Sequence, residues 1–105
     1  MFKVKHCVVT SSVAAIRNKL PENRPADNTY SEKDWSDTGP GTHSYAKSKT
    51  LAERAGWDYH SSLDESERFD LTMICPAYIV GPAWPTGDFA SGQILTSLMM
   101  PKGDK

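Results

Sequence analysis

A tyrosine and a lysine four positions apart, Tyr45 and Lys49, have the side-chain types and the spacing for proton-transfer chemistry. On a helix, residues at this spacing share one face, with their Cβ atoms roughly 5–6 Å apart. A free phenol titrates at about 10, so it exchanges protons poorly at neutral pH. An ammonium group within about 4–6 Å favours the phenolate and makes a phenol a better acid–base catalyst. The alternative is an ordinary exposed helix start, where such pairs occur by chance.

Four segments of regular structure are predicted around this pair. Residues 3–10 and 70–75 are short apolar runs typical of buried strands, residues 44–59 form a helix, and residues 92–100 form a second, weakly amphipathic helix. A strand, a helix and a strand in this order make a βαβ unit, whose strands are parallel and whose crossover is almost always right-handed. The long polar connection over residues 17–44 is expected to be functional or disordered.

The first predicted helix has small and aromatic residues at intervals suited to packing. Tyr45, Ala52 and Tyr59 recur every seven residues. Ser48 and Ala55 fill the same stripe, so this stripe is predicted to pack, whereas Glu53 and Arg54 lie elsewhere on the helix. A second lysine, Lys47, lies on another face and is assigned to solvent.

Composition and charge exclude several classes of function. The net charge is −1 with 38% hydrophobic residues, and no basic run suggests a nucleic-acid partner. No apolar stretch approaches the roughly 20 residues of a membrane-spanning helix, so no membrane partner is expected. Cys7 and Cys75 lie in strand-like runs, where buried thiols of a cytosolic protein are favoured over a disulfide or metal ligands. No metal site is predicted.

The order of the motifs resembles the extended short-chain dehydrogenase/reductase family. A strand leads into Ser11 and Ser12, Tyr-x-x-x-Lys opens a helix, and a second strand ends in Pro-x-x-x-x-Gly-Pro at residues 76–82. Asp-Trp-Ser at 34–36 and Leu-Ala-Glu at 51–53 make the dihydroflavonol reductase and cinnamoyl-CoA reductase-like branch the most similar. The resemblance covers residues 4–100 and implies a partial Rossmann-like α/β fold: one βαβ unit of a doubly wound parallel sheet plus a flanking helix.

The resemblance also implies roles for individual residues. Ser12 would donate a hydrogen bond to the substrate carbonyl, although a strand-ending serine also satisfies local backbone groups. Tyr45 would be the general acid, and Lys49 would hold the nicotinamide ribose. Pro76 and Ile79 would contact the nicotinamide end, and Ser91 would reach the phosphate side of the cofactor.

The implied cofactor is NADP(H) in preference to NAD(H), and the implied substrate is a small molecule with a carbonyl or secondary alcohol. The Ser, Tyr and Lys set leaves open a nucleotide-sugar epimerase or dehydratase of the same superfamily. Nothing in the sequence fixes the oligomeric state.

Two departures accompany the resemblance. Cys75 occupies a position where many members have asparagine, which leaves open how the following loop is held. The glycine-rich dinucleotide fingerprint does not occur in the sequence. Residues 1–105 are therefore expected to be the central to C-terminal portion of a cofactor-binding domain: a partial gene model, a truncated product or a fragment. By itself the chain is expected to be inactive.

Overall fold

The structure is a computed structural model that describes residues 3–82 and 90–100. Its elements, in chain order, are β1 (His6–Thr10), α1 (Ala14–Arg17), a short 3-10 turn (Pro21–Asn23), α2 (Ser44–Ser62), β2 (Asp70–Ile74) and α3 (Ala90–Met99). Both predicted strands and both predicted helices are therefore confirmed, with small shifts at their ends. The short helix α1 and the 3-10 turn were not predicted.

The two strands pair in parallel, as the βαβ pattern predicts. The register runs from His6 opposite Asp70 to Thr10 opposite Ile74. The ladder continues past the strand end, where the backbone N–H of Ser11 donates to the carbonyl of Ile74 at 2.7 Å. Pairing begins later than the predicted residue 3 because β2 itself begins only at Asp70. The carboxyl ends of both strands thus lie at the same edge of the sheet.

Helix α2 packs through a different stripe from the one predicted. Its buried residues are Ala46, Thr50 and Glu53, whereas Tyr45 and Tyr59 of the predicted stripe are 51% and 62% exposed. The buried stripe follows the spacing of four and three expected for one helix face. The small residues of the predicted stripe, Ser48, Ala52 and Ala55, are exposed as well, so the seven-residue recurrence marked the wrong face.

Close approach explains why small residues occupy the inward face of α2. Helix α1 contacts α2, and Ala15 and Ala46 are the most completely buried hydrophobic side chains of the described residues. Thr50 satisfies its buried hydroxyl by donating to the carbonyl of Ala46 at 2.7 Å. At Gly56, an added Cβ would lie 2.6 Å from the terminal methyl of Met73 on β2, so the helix approaches the sheet closely there.

The long connection after α1 is ordered by side-chain hydrogen bonds. The buried hydroxyl of Ser36 donates to the carbonyl of Ala14 and accepts from the N–H of Asn18, both at 2.7 Å. The backbone N–H of Ser36 donates to the carbonyl of Ala15 at 2.8 Å. Helix ends leave backbone carbonyls without partners, so this serine closes the end of α1.

The neighbours of Ser36 in the Asp-Trp-Ser motif also hold this connection. Asp34 accepts from the ammonium of Lys19 at 2.8 Å, and that hydrogen bond lowers the pKa of the carboxyl group from its ordinary value of 3.8. The ring of Trp35 lies under the guanidinium of Arg54, 5.0 Å from the ring centre. Asp37, directly after the motif, accepts from the N–H of Leu20 at 2.6 Å. The motif that carried the resemblance is therefore structural here.

Both cysteines lie in the part of the chain that the structure describes. Cys7 and Cys75 are free thiols, so the disulfide alternative is wrong, and both are half-buried rather than buried. Across residues 3–82 and 90–100, no helix combines the length and the apolar character needed to cross a membrane.

Candidate active site

Two of the predicted catalytic residues line one cavity. Ser12 follows β1, Tyr45 is the second residue of α2, and both border a cavity of about 470 Å³ that Ser91 of α3 also lines. In open α/β sheets the ligand crevice lies at the carboxyl ends of the strands, which is where β1 leads into Ser12. The cavity therefore lies where the fold would place a substrate.

The two adjacent serines differ in their hydrogen bonds. Both are buried, but the hydroxyl of Ser11 donates to the carboxylate of Glu53 and is engaged inside the fold. The hydroxyl of Ser12 accepts from the N–H of Ala14 at 3.1 Å and borders the cavity. A hydroxyl that accepts in this way keeps its proton to donate. The choice of Ser12 over Ser11 stays a prediction, and the geometry favours it.

Tyr45 and Lys49 are held side by side by the first turns of α2. The ammonium of Lys49 lies 5.8 Å from the centre of the Tyr45 ring, and the tyrosine ring is about half exposed. Lys49 is half-buried and is not among the residues that line the cavity, so it adjoins Tyr45 from the side. Lys47 is exposed, as predicted.

The three remaining predicted cofactor contacts, Pro76, Ile79 and Ser91, differ in their positions relative to the cavity. The carbonyl of Pro76 accepts from the N–H of Val13 at 3.0 Å, which ties this loop to the start of α1. Ile79 is 67% exposed and does not line the cavity, although Ala77 and Tyr78 of the same loop do. Ser91 does line it. The cofactor roles of these residues remain predictions.

A buried carboxylate, Glu53, was missed by sequence reasoning. It lies one helical turn after Lys49 and accepts from the hydroxyl of Ser11, from the thiol of Cys75 at 3.5 Å and from Trp57 Nε1 at 3.4 Å. A buried charge is tolerated when hydrogen-bond donors surround it. One side chain thus joins α2 to the residues that follow both strands.

Cys75 shows how the loop after β2 is held without the asparagine found in many relatives. Its thiol points to Glu53, and the next residue holds the start of α1 through its carbonyl. Burial, and then the neighbouring carboxylate of Glu53, raise the pKa of the Cys75 thiol above its ordinary value of 9.0. The thiol therefore stays protonated and acts as a donor.

The sequence did carry a signal for the inward stripe. Ala46, Thr50, Glu53 and Trp57 follow the four–three–four spacing of a single helix face. A glutamate in that series is normally assigned to solvent. The burial of Glu53 is explained by Ser11 and Cys75, which follow the two strands and donate hydrogen bonds to its carboxylate.

The known proteins to which the chain is similar include two reductases. No family model matches the chain. It is 33% identical over 88 residues to the NADPH-dependent methylglyoxal reductase GRE2 of Saccharomyces cerevisiae, covering 75% of this chain and 25% of that protein. It is 36% identical over 88 residues to dihydroflavonol 4-reductase of Arabidopsis thaliana, covering 75% of this chain and 20% of the relative.

A solved structure agrees with these relatives over nearly the whole chain. The crystal structure of Gre2 from Candida albicans in complex with NADPH superimposes with a TM-score of 0.70 at 29% identity, covering 97% of this chain and 33% of that one. The fold is thus a portion of a Rossmann-like α/β fold, typical of nucleotide-dependent oxidoreductases. The chain is thus similar to members of the extended short-chain dehydrogenase/reductase family, among them Gre2 and dihydroflavonol 4-reductase, as its motifs predict. It spans about a quarter of the length of the curated relatives that it matches.

Proposed function

We propose that these residues form the catalytic end of an NADPH-dependent reductase that acts on a carbonyl group of a small organic molecule. The observation that carries the proposal is that Ser12 and Tyr45, from different elements, border one cavity, with Lys49 beside the tyrosine. The relatives supply the reaction class, since their names describe reductases.

The residues present fit the nicotinamide end of the cofactor. Lys49 is a half-buried cation next to Tyr45, suited to hold ribose hydroxyls, and Ser91 offers a hydroxyl to the same cavity that Tyr45 lines. When bound, NADPH would supply a hydride to a substrate carbonyl. The carbonyl of Pro76 accepts from the N–H of Val13, and Ala77 and Tyr78 of the same loop line the cavity.

Proton delivery falls to the residues of this chain. Ser12 would donate its hydroxyl proton in a hydrogen bond to the carbonyl oxygen, because its oxygen accepts from the N–H of Ala14 and its own proton is left to donate. Tyr45 transfers its phenolic proton to that oxygen as negative charge develops there. The ammonium of Lys49 stabilises the resulting phenolate. In the reverse direction the same groups take the proton from a secondary alcohol.

The test is net consumption of NADPH by the full-length protein that contains this sequence. Methylglyoxal, which the name of one relative specifies, is the first substrate, followed by larger aldehydes and ketones. We expect one alcohol formed per NADPH oxidised. A nucleotide-sugar epimerase or dehydratase would instead convert its substrate without net NADPH loss, and that result would overturn the proposal in favour of the alternative. The Leu-Ala-Glu motif favours the reductase.

We also propose that the 105-residue chain alone binds NADPH weakly and does not turn over. The pyrophosphate of a dinucleotide is normally held at a helix start after a glycine-rich turn, and no such turn occurs in this sequence. Micromolar binding requires roughly 8 kcal/mol, whereas a single partly exposed lysine contact supplies about 1 kcal/mol. Saturable quenching of NADPH fluorescence at low micromolar chain concentration would contradict this.

A further inference from the structure

We propose that the substrate of this reductase carries an anionic group, a carboxylate or a phosphate, that binds to Arg17 and Arg24 in a second cavity beside the active site. The inference rests on the proposed function, because it assigns the distal part of the same substrate. It concerns which carbonyl compounds are accepted rather than how the carbonyl is reduced.

The second cavity adjoins the first. It has a volume of about 570 Å³ and lies between the end of α1 and the loop before α2. Arg17, Asn18 and His43 line both cavities, so the two cavities are direct neighbours that meet at these three residues. Each cavity by itself has the size of a small-molecule site. A substrate with its carbonyl at Tyr45 can therefore extend past Arg17 into the second cavity.

The charges around the second cavity have one sign. Its ionisable lining residues, apart from a tyrosine, are all basic: Arg17, Lys19, Arg24 and His43. Lys19 is already compensated, since it donates to Asp34 at 2.8 Å. No carboxylate is found among the described residues that line either cavity. The two arginines therefore leave an excess of positive charge that a ligand can neutralise.

The two guanidinium groups are available in different ways. Arg17 forms no side-chain hydrogen bond or ion pair with any residue in 3–82 or 90–100, although it borders the active-site cavity. Within the part of the chain that the structure describes, Arg24 donates through Nε alone, to the carbonyl of Lys19 at 3.1 Å, which orients the group and leaves its two terminal nitrogens for a ligand. Guanidinium groups present planar pairs of donors that match the oxygens of carboxylates and phosphates.

The loop that lines the second cavity is held by hydrogen bonds within the fold. Asn28 and Gly41 both line this cavity, and they are the described residues with positive φ, at 53° and 83°. Thr42, beside Gly41, donates its hydroxyl to the carbonyl of Gly39 at 2.7 Å. Ser36 and Asp37 hold the rest of the connection against α1. Ligand binding therefore does not have to order this loop, which lowers the entropic cost of binding.

A matched set of aldehydes tests the inference in the full-length protein with NADPH. The probes are 4-formylbenzoate, its neutral methyl ester and 4-formylphenyl phosphate, which place the same reacting group on carboxylate, neutral and phosphate carriers. We expect an anionic probe to have the higher kcat/KM. Replacing Arg17 with glutamine (Arg17→Gln) should lower the ratio of anionic to neutral kcat/KM by roughly ten to a hundredfold, as expected for a lost charge-assisted hydrogen bond. Arg24→Gln should lower it in the same direction.

The control is Lys47→Gln, which removes the same charge from an exposed position that lines neither cavity. Its ratio should match the wild type. If the ester is preferred, or if Arg17→Gln leaves the ratio unchanged, the anion site is wrong and the reductase assignment stands. If Arg17→Gln raises KM for NADPH but not for NADH, the cavity binds the cofactor phosphate and the inference is overturned. No turnover of any aldehyde would overturn the reductase assignment and the inference with it.

Discussion

Two adjacent faces of helix α2 differ in how their polar groups are used. One face presents Tyr45 and, one turn later, Lys49, which are exposed and half-buried respectively and make no hydrogen bond through their side chains to another described residue. The neighbouring inward face carries Thr50 and, one turn after Lys49, Glu53, which are buried and hydrogen-bonded. The proposed reacting groups are thus left free, and the polar groups next to them on the inward face are hydrogen-bonded within the fold.

This difference shows how a short helix can hold reactive groups in position. A catalytic side chain must be placed accurately yet keep its polar atoms available for substrate. Here the placement comes from Glu53, which ties α2 to Ser11 after β1 and to Cys75 after β2. Ser11 directly precedes Ser12, so the same carboxylate holds the chain next to a residue that lines the cavity. The comparison predicts that changes on the two faces will separate activity from stability.

The largest effect on activity is expected from Tyr45→Phe. The ring remains, so the free energy of unfolding and the NADPH affinity of the full-length protein should hardly change. Loss of the proton donor should reduce kcat by about 10² to 10⁴-fold. Steady-state kinetics, NADPH titration and thermal unfolding measure the three quantities. Tyr59→Phe, at another exposed position of α2, is the matched control. Near-normal turnover in Tyr45→Phe would contradict the division between the faces.

The largest effect on stability is expected from Glu53→Ala. The substitution leaves the buried hydroxyl of Ser11 without its acceptor and removes the partner of Trp57 and Cys75. Stranded buried donors cost about 1–3 kcal/mol each, so we expect the free energy of unfolding to fall by about 2–3 kcal/mol. Glu53→Gln keeps one acceptor oxygen and should lose less.

Asp58→Ala is the control for Glu53, since Asp58 is an exposed acid on the same helix. Surface changes of that kind usually stay within about 0.5 kcal/mol. Chemical denaturation measures the free energy of unfolding of the wild type and of the variants Glu53→Ala, Glu53→Gln and Asp58→Ala. Equal losses for Glu53→Ala and Asp58→Ala would show that the buried carboxylate does not join the strands to the helix.

A smaller effect is expected in the reactivity of Cys75. Burial and the carboxylate of Glu53 raise the pKa of this thiol, so it should alkylate slowly at pH 8 because the thiolate is the nucleophile. Glu53→Gln removes the carboxylate contribution but not the burial. The midpoint of the alkylation rate against pH should therefore move down, toward 9.0.

Cys7 serves as the internal reference for that experiment. It lies on β1 opposite Leu71, several residues before the strand end where Glu53 binds. Mass spectrometry of the two peptides resolves the two rates in one sample. A higher plateau rate for Cys75 with an unchanged midpoint would indicate loosened packing, and would contradict an electrostatic effect of Glu53.

How far the sequence could predict this structure differs between the two faces. The strands, α2 and the pairing of Tyr45 with Lys49 follow from local patterns and spacing, and the structure confirms them. Glu53 could not be placed in this way. Its burial depends on Ser11 and Cys75, which lie 42 and 22 residues away along the chain. Local propensity assigns a glutamate to solvent unless distant donors are known.

The ordered structure of the connection over residues 17–44 could not be predicted from the sequence for a related reason. Its polar composition predicted a functional or disordered loop, and sequence alone gave no partner for Ser36. The partners are carbonyls at the end of α1, a four-residue helix too short to be recognised by periodicity. These hydrogen bonds form only after Ser36 has folded back against α1, which lies 22 residues earlier in the chain, so the local sequence does not predict them.

The smallest expected effect concerns the half-buried ion pair between Lys19 and Asp34, which holds this connection. The hydrogen bond from Lys19 holds the pKa of Asp34 below its ordinary value of 3.8. A depressed carboxyl pKa stabilises the fold above the ordinary value, and the contribution disappears as pH falls through the lower, folded value. Asp34→Asn should therefore unfold at a lower temperature than the wild type at pH 7. As pH falls from the ordinary value of 3.8 through the lower, folded pKa, the two unfolding temperatures should converge, because a protonated Asp34 is neutral like asparagine. Asp58→Asn, at a residue with no ion pair to another described residue, should match the wild type at pH 7. A gap between Asp34→Asn and the wild type that persists unchanged at low pH would show that shape, and not charge, accounts for the contribution of Asp34.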